Sequence, residues 1–348
     1  MCNNSLKIQI LTKKQPLDAF AQLGDYLLSD DPRLAQIVES AQHHNPWFTP
    51  AFTRRALVAI ASNLSQDKLG EWLAPYPFEG EINKTVGLVL AGNIPLVGFH
   101  DILCVLCAGY NVQVKTATVD PVLTAHLLAT LKEIEPAFAP KIELTERLAD
   151  FDLVIATGSD NSSRYFSYYF GHKPHIIRKN RNSVAVLTGT ESADDLRRLG
   201  NDIFDYFGLG CRSVSKLFVP EGYDPSVFFE GIASFADIIN HHKYANNYDY
   251  NKSIYLINGD EHFDNGFLLL KPDERGASPL GVLYLETYTS GENLVNRLNA
   301  LAPQLQCVVG NDPLAITTSV VRFGQSQQPA LDDYADGINT LDFLAAHR

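Results

Sequence analysis

The chain has 348 residues, 45% of them hydrophobic and 20% charged, which excludes a disordered chain and suggests about two domains. Lys and Arg number 28 against 40 Asp and Glu, a formal net charge of −12 with no basic stripe, which argues against a nucleic-acid-binding surface. Five scattered cysteines (Cys2, Cys104, Cys107, Cys211, Cys307) fit a reducing compartment rather than a disulfide framework. Neither a secretory signal after Met1 nor an uninterrupted membrane span is evident, so a cytoplasmic protein is expected.

Apolar positions at three- and four-residue spacing (Leu17, Phe20, Leu23, Leu27, then Leu57, Ile60, Leu64) predict a helical entry region over 1–80 that packs on the first domain. His43 and His44 are adjacent and point to different sides of a helix or turn, a surface role. Pro75, Pro77 and Gly80 punctuate the chain before the first strand.

Over 81–188, short β-rich runs alternate with helical segments, the pattern of crossover units feeding a parallel sheet. Strands are expected at 86–90, 112–115, 142–145, 153–156 and 184–187. Helices are expected from near Pro95, Pro121 and Asn161, with Gly109 stopping the first. This predicts a doubly wound nucleotide-binding domain, although no Gly-x-Gly-x-x-Gly follows any of these strands. Cys104 and Cys107 form a C-x-x-C inside the apolar run 102–108, on what reads as a buried helix, without a second ligand pair at metal spacing. Thr157, Gly158 and Ser159 follow the strand 153–156; Gly158 lets backbone approach a ligand, and Ser159 or Asp160 caps the next helix, as an anion site or as ordinary capping. Lys115 ends its strand, where it either reaches a ligand or is a sheet-edge charge.

A second αβ domain is expected over 189–325. Its first helix runs from Glu191 to about Phe207; strands are expected at 214–219, 253–257, 267–270, 282–285, 307–309 and 316–323, with helices around 227–240 and 291–301. The polar and aromatic stretch 240–251 reads as a cleft lining or as a long surface loop. Between the first helix and the first strand stands Phe207-Gly208-Leu209-Gly210-Cys211-Arg212-Ser213. A cysteine after two glycines, at the mouth of a β run and beside Arg212, suits a thiolate nucleophile; the alternative is a small buried hydrophobe.

Taken together these stretches resemble the aldehyde dehydrogenase superfamily. The segment Gly92-Asn93-Ile94-Pro95 is similar to the one carrying the oxyanion-binding asparagine, Asn111 to Ala117 to the strand whose lysine contacts the adenosine ribose, and Ala156 to Ser159 to the turn at the cofactor phosphates. Phe207 to Val219 is similar to the catalytic-cysteine segment. A weaker echo of the C-terminal segment runs from Arg322-Phe323-Gly324 to Gly337. The resemblance implies an α/β, aldehyde dehydrogenase-like fold, two three-layer αβα domains with a helical N-terminal region. Its parts are an entry region at 1–80, a nucleotide-binding domain at 81–188, a catalytic domain carrying Cys211 at 189–325 and a C-terminal segment at 326–348.

Within the superfamily the sequence resembles the acyl-CoA reductases of the LuxC type, through Gly92 to Pro95, Tyr244 to Tyr250 and Ser278 to Leu283. Where hydrolytic relatives carry a water-activating glutamate, the matching stretch 176–183 has no carboxylate, and an acyl enzyme that exchanges with a thiol needs none. The resemblance implies Cys211 as nucleophile, Asn93 as oxyanion donor, and Lys115, Thr116, Thr118, Thr157, Gly158 and Ser159 as cofactor contacts. Thr118 stands where NAD-selective relatives place a glutamate, which favours NADPH, with NADH as the alternative. Arg178, Lys179 and Arg181 are candidates for CoA phosphates or are solvated surface charges. Acyl-CoA is the implied substrate, with an acyl-activating synthetase as a partner and a homo-oligomer as the assembly. The alternatives are an acyl-phosphate reductase of the glutamyl-phosphate type and a non-catalytic acyl-binding scaffold.

Overall fold

A computed structural model describes residues 14–78 and 82–348. Gly80, Cys2 and the stretch following Met1 lie outside the described residues. The chain divides into two compact units, one reaching to Lys179 and taking in Ala330–Arg348, the other Asn180–Pro329.

The first unit opens with four helices, α1 (Lys14–Leu27), α2 (Pro32–His44), α3 (Pro50–Ala61) and α4 (Gln66–Leu73). Asp31, Thr49 and Ser65 cap the last three with their side chains, and proline begins α2 and α3, where its missing N–H costs nothing. The predicted stripe of α1 is buried at Phe20, Leu23 and Leu27, and it shares one core with the sheet that follows. His43 and His44 are exposed.

That sheet is built from β1 (Thr85–Val89), β2 (Asn111–Lys115), β3 (Ile142–Leu144), β4 (Leu153–Thr157) and β5 (His175–Arg178), with α5 (Phe99–Cys107), α6 (Leu123–Ile134) and α7 (Asp160–Phe170) as crossovers. All its pairings are parallel, in the order β3-β2-β1-β4-β5. Continuous apolar runs such as Leu153 to Ala156 are buried throughout, as a sheet covered on both faces requires. Gly109, at φ +88°, ends the turn after α5, whereas Pro95 begins a turn and α5 starts only at Phe99. Cys104 and Cys107 sit on α5, buried as the apolar run predicts, and burial pushes both thiols up.

The fifth strand differs from expectation. The run at 184–187 belongs to the second unit, where β6 (Asn182–Val186) is a central strand, and the first sheet is completed by β5 instead. A two-residue apolar centre, Ile176-Ile177 between His175 and Arg178, suffices at a sheet edge, where only one neighbour must be matched.

In the second unit β6 is followed by α8 (Ala193–Phe204), β7 (Val214–Pro220), α9 (Pro225–Gly231), α10 (His242–Asn258), β8 (Phe263–Asp264), β9 (Leu269–Pro272), β10 (Val282–Tyr288), α11 (Gly291–Leu301), β11 (Leu305–Val309) and β12 (Val320–Val321). The strands lie in the order β12-β11-β6-β7-β10-β9-β8, and β8 alone runs antiparallel to its neighbour. Two expectations are corrected here. The run 253–257 is the last part of α10 rather than a strand, and most of 240–251 is the same helix rather than a loop. Tyr244, Tyr248, Asn251 and Tyr255 form its buried stripe, and their polar tips reach Phe267 O, Asp264 Oδ1 and Leu280 O from Tyr244, Tyr248 and Asn251. Tyrosine buries a large ring while its hydroxyl satisfies the adjoining loops, so an apolar helical face is written in polar letters. The expected strand 316–323 shrinks to β12.

Candidate active site

In the first unit the chain leaves β1 toward β2 on one side while β4 flanks β1 on the other. Loops after β1 and β4 therefore diverge at the carboxyl edge of the sheet, the place where open α/β sheets bind ligands. Asn93 follows β1, Lys115 ends β2 with Thr116 and Thr118 just beyond, and Thr157 ends β4 with Gly158 and Ser159 beyond. Residues far apart in sequence are thus brought to one edge of one sheet.

Each of these loops is held from below. Asn93 is exposed in the turn before α5, and Leu96 in the same turn is left-handed at φ +55°. Its N–H is one of those that stabilise the carboxylate of buried Asp120; burial nevertheless raises that group's pKa, and its oxygens also take the Leu123 N–H and the Thr124 hydroxyl. A Cβ on Gly92 would stand 2.6 Å from Ala117 Cβ and 2.8 Å from Val119 Cγ2, so the loops after β1 and β2 touch through glycine backbone. Lys115 is exposed, with its ammonium donating to Glu146 O at 2.6 Å. Ser159 is the N-cap of α7 and accepts from Ser162 N at 3.2 Å. A Cβ on Gly158 would come within 2.8 Å of the Phe166 ring and 2.9 Å of Ser162 Cβ. A lysine, several hydroxyls and the start of α7 thus lie along this edge, while Gly92 and Gly158 are required by close packing against Ala117, Val119, Ser162 and Phe166.

Arg178 is corrected. It is 4% exposed, its guanidinium pairs with Asp101 on α5, and its Nη2 donates to Thr340 Oγ1 at 3.0 Å, so it is neither a CoA-phosphate contact nor a solvated charge. Thr340 begins the helix Thr340–Ala346, and the hydrogen bond from Arg178 fastens that helix to β5. Arg181, in the second unit, donates to Leu305 O at 2.8 Å, while Lys179 is exposed.

In the second unit Cys211 is half-buried in a turn between α8 and β7, at the N-terminal mouth of β7. Ser213 N donates to Gly210 O at 3.0 Å and Gly210 N to Ser213 Oγ at 3.2 Å, which closes the turn on both sides of the cysteine. Ser183 Oγ, from β6, donates to Cys211 O at 3.0 Å. The predicted helix to Phe207 ends earlier, at Phe204, because Tyr206, Phe207 and Gly208 are all left-handed at φ +54°, +58° and +78°. The two non-glycine residues cost on the order of 1–2 kcal/mol each in that conformation. Their burial and the tilted packing of the Phe207 ring on His241, 4.2 Å between centroids, hold them there. Arg212 is buried.

Several polar residues of this unit escape a reading of motifs. Ser183 is one. Lys216 on β7 is another: it is fully buried, pairs with Glu286 and donates to Asp273 O and Arg275 O, both at 3.1 Å. Burial lowers its pKa, and Glu286 opposes that shift. A lysine inside the run Val214 to Val219 was the available signal, since a charge in a central strand must be paired. Asp202 and Gln327, taken up below, carry no such signal.

The fold is that of the aldehyde dehydrogenases. Aldehyde dehydrogenase 21 from Physcomitrella patens, solved with succinate, superposes with a TM-score of 0.69 at 14% identity, covering 98% of this chain and 85% of that one. An acetylating aldehyde dehydrogenase from Geobacillus thermoglucosidasius gives 0.65 at 13% identity over 92% and 86% of the two chains. Betaine aldehyde dehydrogenase from Staphylococcus aureus, a double mutant solved with NAD+, gives 0.64 at 12% identity over 83% and 70%. Within that class, residues 83–235 match the acyl-CoA reductase (LuxC) family. No curated protein matches the chain. The family match on this fold supports an aldehyde-forming oxidoreductase. No helix among the described residues is long and apolar enough to cross a membrane.

Proposed function

We propose that the protein reduces an acyl-CoA thioester to an aldehyde with NADPH, through a covalent acyl thioester on Cys211. The observation that carries this is the acyl-CoA reductase match over 83–235, a stretch that contains Asn93, Lys115, Thr157, Gly158, Ser159 and Cys211 together. The Cys211 thiolate attacks the thioester carbonyl, and the Asn93 amide with the Cys211 N–H stabilises the oxyanion. The bond to the CoA sulfur breaks and CoA leaves as its thiolate. NADPH, held by the residues named below, would supply the hydride that reduces the acyl carbon and would leave as NADP+. As the second oxyanion collapses, Cys211 is the leaving group and the aldehyde is released. With no carboxylate over 176–183 to activate water, the acyl enzyme is spared hydrolysis.

Lys115 and Thr116, with Thr157, Gly158 and Ser159, hold the dinucleotide in this proposal. Thr118 leaves room for a 2′-phosphate and so favours NADPH over NADH. A cytoplasmic homo-oligomer that receives acyl groups from an acyl-activating synthetase belongs to the same proposal. The exposed Tyr165, Tyr168 and Tyr169 on α7, 66%, 81% and 62% accessible, offer an aromatic face for self-association.

Intact-mass spectrometry after mixing with acyl-CoAs, alongside NADPH consumption, tests it. The wild type acquires one acyl group on Cys211 and forms aldehyde from acyl-CoA but not from acyl phosphate. Cys211→Ala does neither, and near-full turnover by that variant would refute the proposal.

A further inference from the structure

Asp202 lies on α8, fully buried, and takes no part in the chemistry above. Its two carboxylate oxygens accept the backbone N–H of Gly324 at 2.6 Å and of Ser326 at 2.9 Å, in the loop that follows β12. The next residue, Gln327, donates from Nε2 to Ser213 Oγ at 3.2 Å. Ser213 Oγ is also the acceptor of the Gly210 N–H, the bond that closes the Cys211 turn. Two loops distant in sequence are joined through one carboxylate and one amide.

A neutral side chain can pin a loop. A buried carboxylate instead brings a desolvation cost, visible here in a pKa that burial raises to about 6 against the opposing pull of the Gly324 N–H and of Ser326. What the charge adds is strength, because bonds to an ionised acceptor are roughly twice as strong as neutral ones. Other charged groups near the site are buried Asp205, in the turn that follows α8, and buried Arg212, beside Ser213. Arg198, on the same helix, packs its stem on Gly324 and pairs outward with Asp194, and Arg322 is exposed. Of the elements packed on α8, α9 carries Glu230 and the following turn Asp237, both exposed, and Lys216 of β7 is engaged by Glu286.

We propose that Asp202 is a positioning residue for the nucleophile: as a carboxylate it fixes the loop 322–327, and through Gln327 and Ser213 it fixes the turn that presents Cys211. This rests on the role given to Cys211 above. Protonation of Asp202 weakens both backbone bonds, the loop relaxes, and the amide of Gln327 no longer braces Ser213.

Hydrogen exchange of the full-length protein, corrected for intrinsic rates, tests the relay without relying on activity. Protection of the segment 209–214 falls about fivefold between pH 7 and pH 5.5 in the wild type, while α11 is unchanged. Asp202→Asn shows the weakened protection at both pH values. Gln327→Ala, which leaves the buried carboxylate in place, weakens 209–214 at both pH values and leaves 322–326 protected as in the wild type. In both variants kcat for aldehyde formation falls about tenfold or more, with the KM for NADPH unmoved. Wild-type protection of 209–214 in Gln327→Ala, or a pH-independent turn in the wild type, overturns the relay. Either result leaves the role of Cys211 standing, since that is decided by Cys211→Ala and the acyl adduct.

Discussion

In the proposed mechanism Asn93 acts on developing charge and Asp202 on the geometry of the nucleophile turn. An oxyanion donor works only in the transition state. Asn93→Ala is therefore expected to lower kcat by on the order of 10²–10³ while leaving cofactor affinity intact, read by steady-state kinetics and NADPH titration. Asp202 has a folded pKa of about 6 against an ordinary 3.8. The folded chain thus holds more protons than the unfolded one between those values, so this group's contribution to stability falls as pH rises from about 4 to about 6 and is level above. The full change is about 3 kcal/mol at 1.36 kcal/mol per pH unit. Urea unfolding at pH 4 and pH 7 checks this: the stability of the wild type relative to Asp202→Asn should decline by about that amount over the interval. On acidification this one group's contribution favours the folded chain while, in the proposed relay, the turn it serves loosens.

At the scale of elements, the ion pair of Arg178 and Asp101 ties β5 to the first turn of α5, and Thr340 adds the last helix. The turn carrying Asn93 leads directly into α5, so the same fastening lies beneath the candidate oxyanion donor. Arg178→Met leaves Asp101 buried without its partner and should cost about 3–5 kcal/mol in denaturant unfolding. It should leave the KM for acyl-CoA unchanged, since the guanidinium is enclosed. In the second unit the left-handed run 206–208 ends α8 early and turns the chain into the Cys211 turn. Strain of this kind is tolerated where packing holds it, and Phe207 on His241 is that packing.

At the scale of the whole molecule, residues 330–348 return to the first unit and bury Leu331, Tyr334, Leu341 and Leu344 in its core. They are also bound by polar contacts, Trp72 Nε1 to Tyr334 OH at 2.9 Å and Tyr110 OH to Leu344 O at 2.8 Å. Each buried side chain of this kind is worth about 1.5–3 kcal/mol. Deleting 330–348 should therefore destabilise the first unit by several kcal/mol. Both tryptophans, Trp47 and Trp72, lie in that unit, so their fluorescence reports it alone. The denaturant midpoint by tryptophan fluorescence should drop.

The sequence by itself determined the parallel α/β class, from apolar runs such as Leu153 to Ala156 spaced by helical segments. It also determined the order of the segments carrying Asn93, Lys115, Ser159 and Cys211, and the burial of Cys104 and Cys107, because each of these is expressed within a few residues. Only the tertiary structure decided which sheet receives the strand after Arg181, that β5 is a strand at all, that α10 is a helix, that Arg178 is enclosed by Asp101 and Thr340, and that Gln327 reaches Ser213. Those outcomes depend on partners outside the local stretch, as far as 162 residues away between Arg178 and Thr340, or on a stripe of tyrosines. Local periodicity records which residues are buried but not what they are buried against.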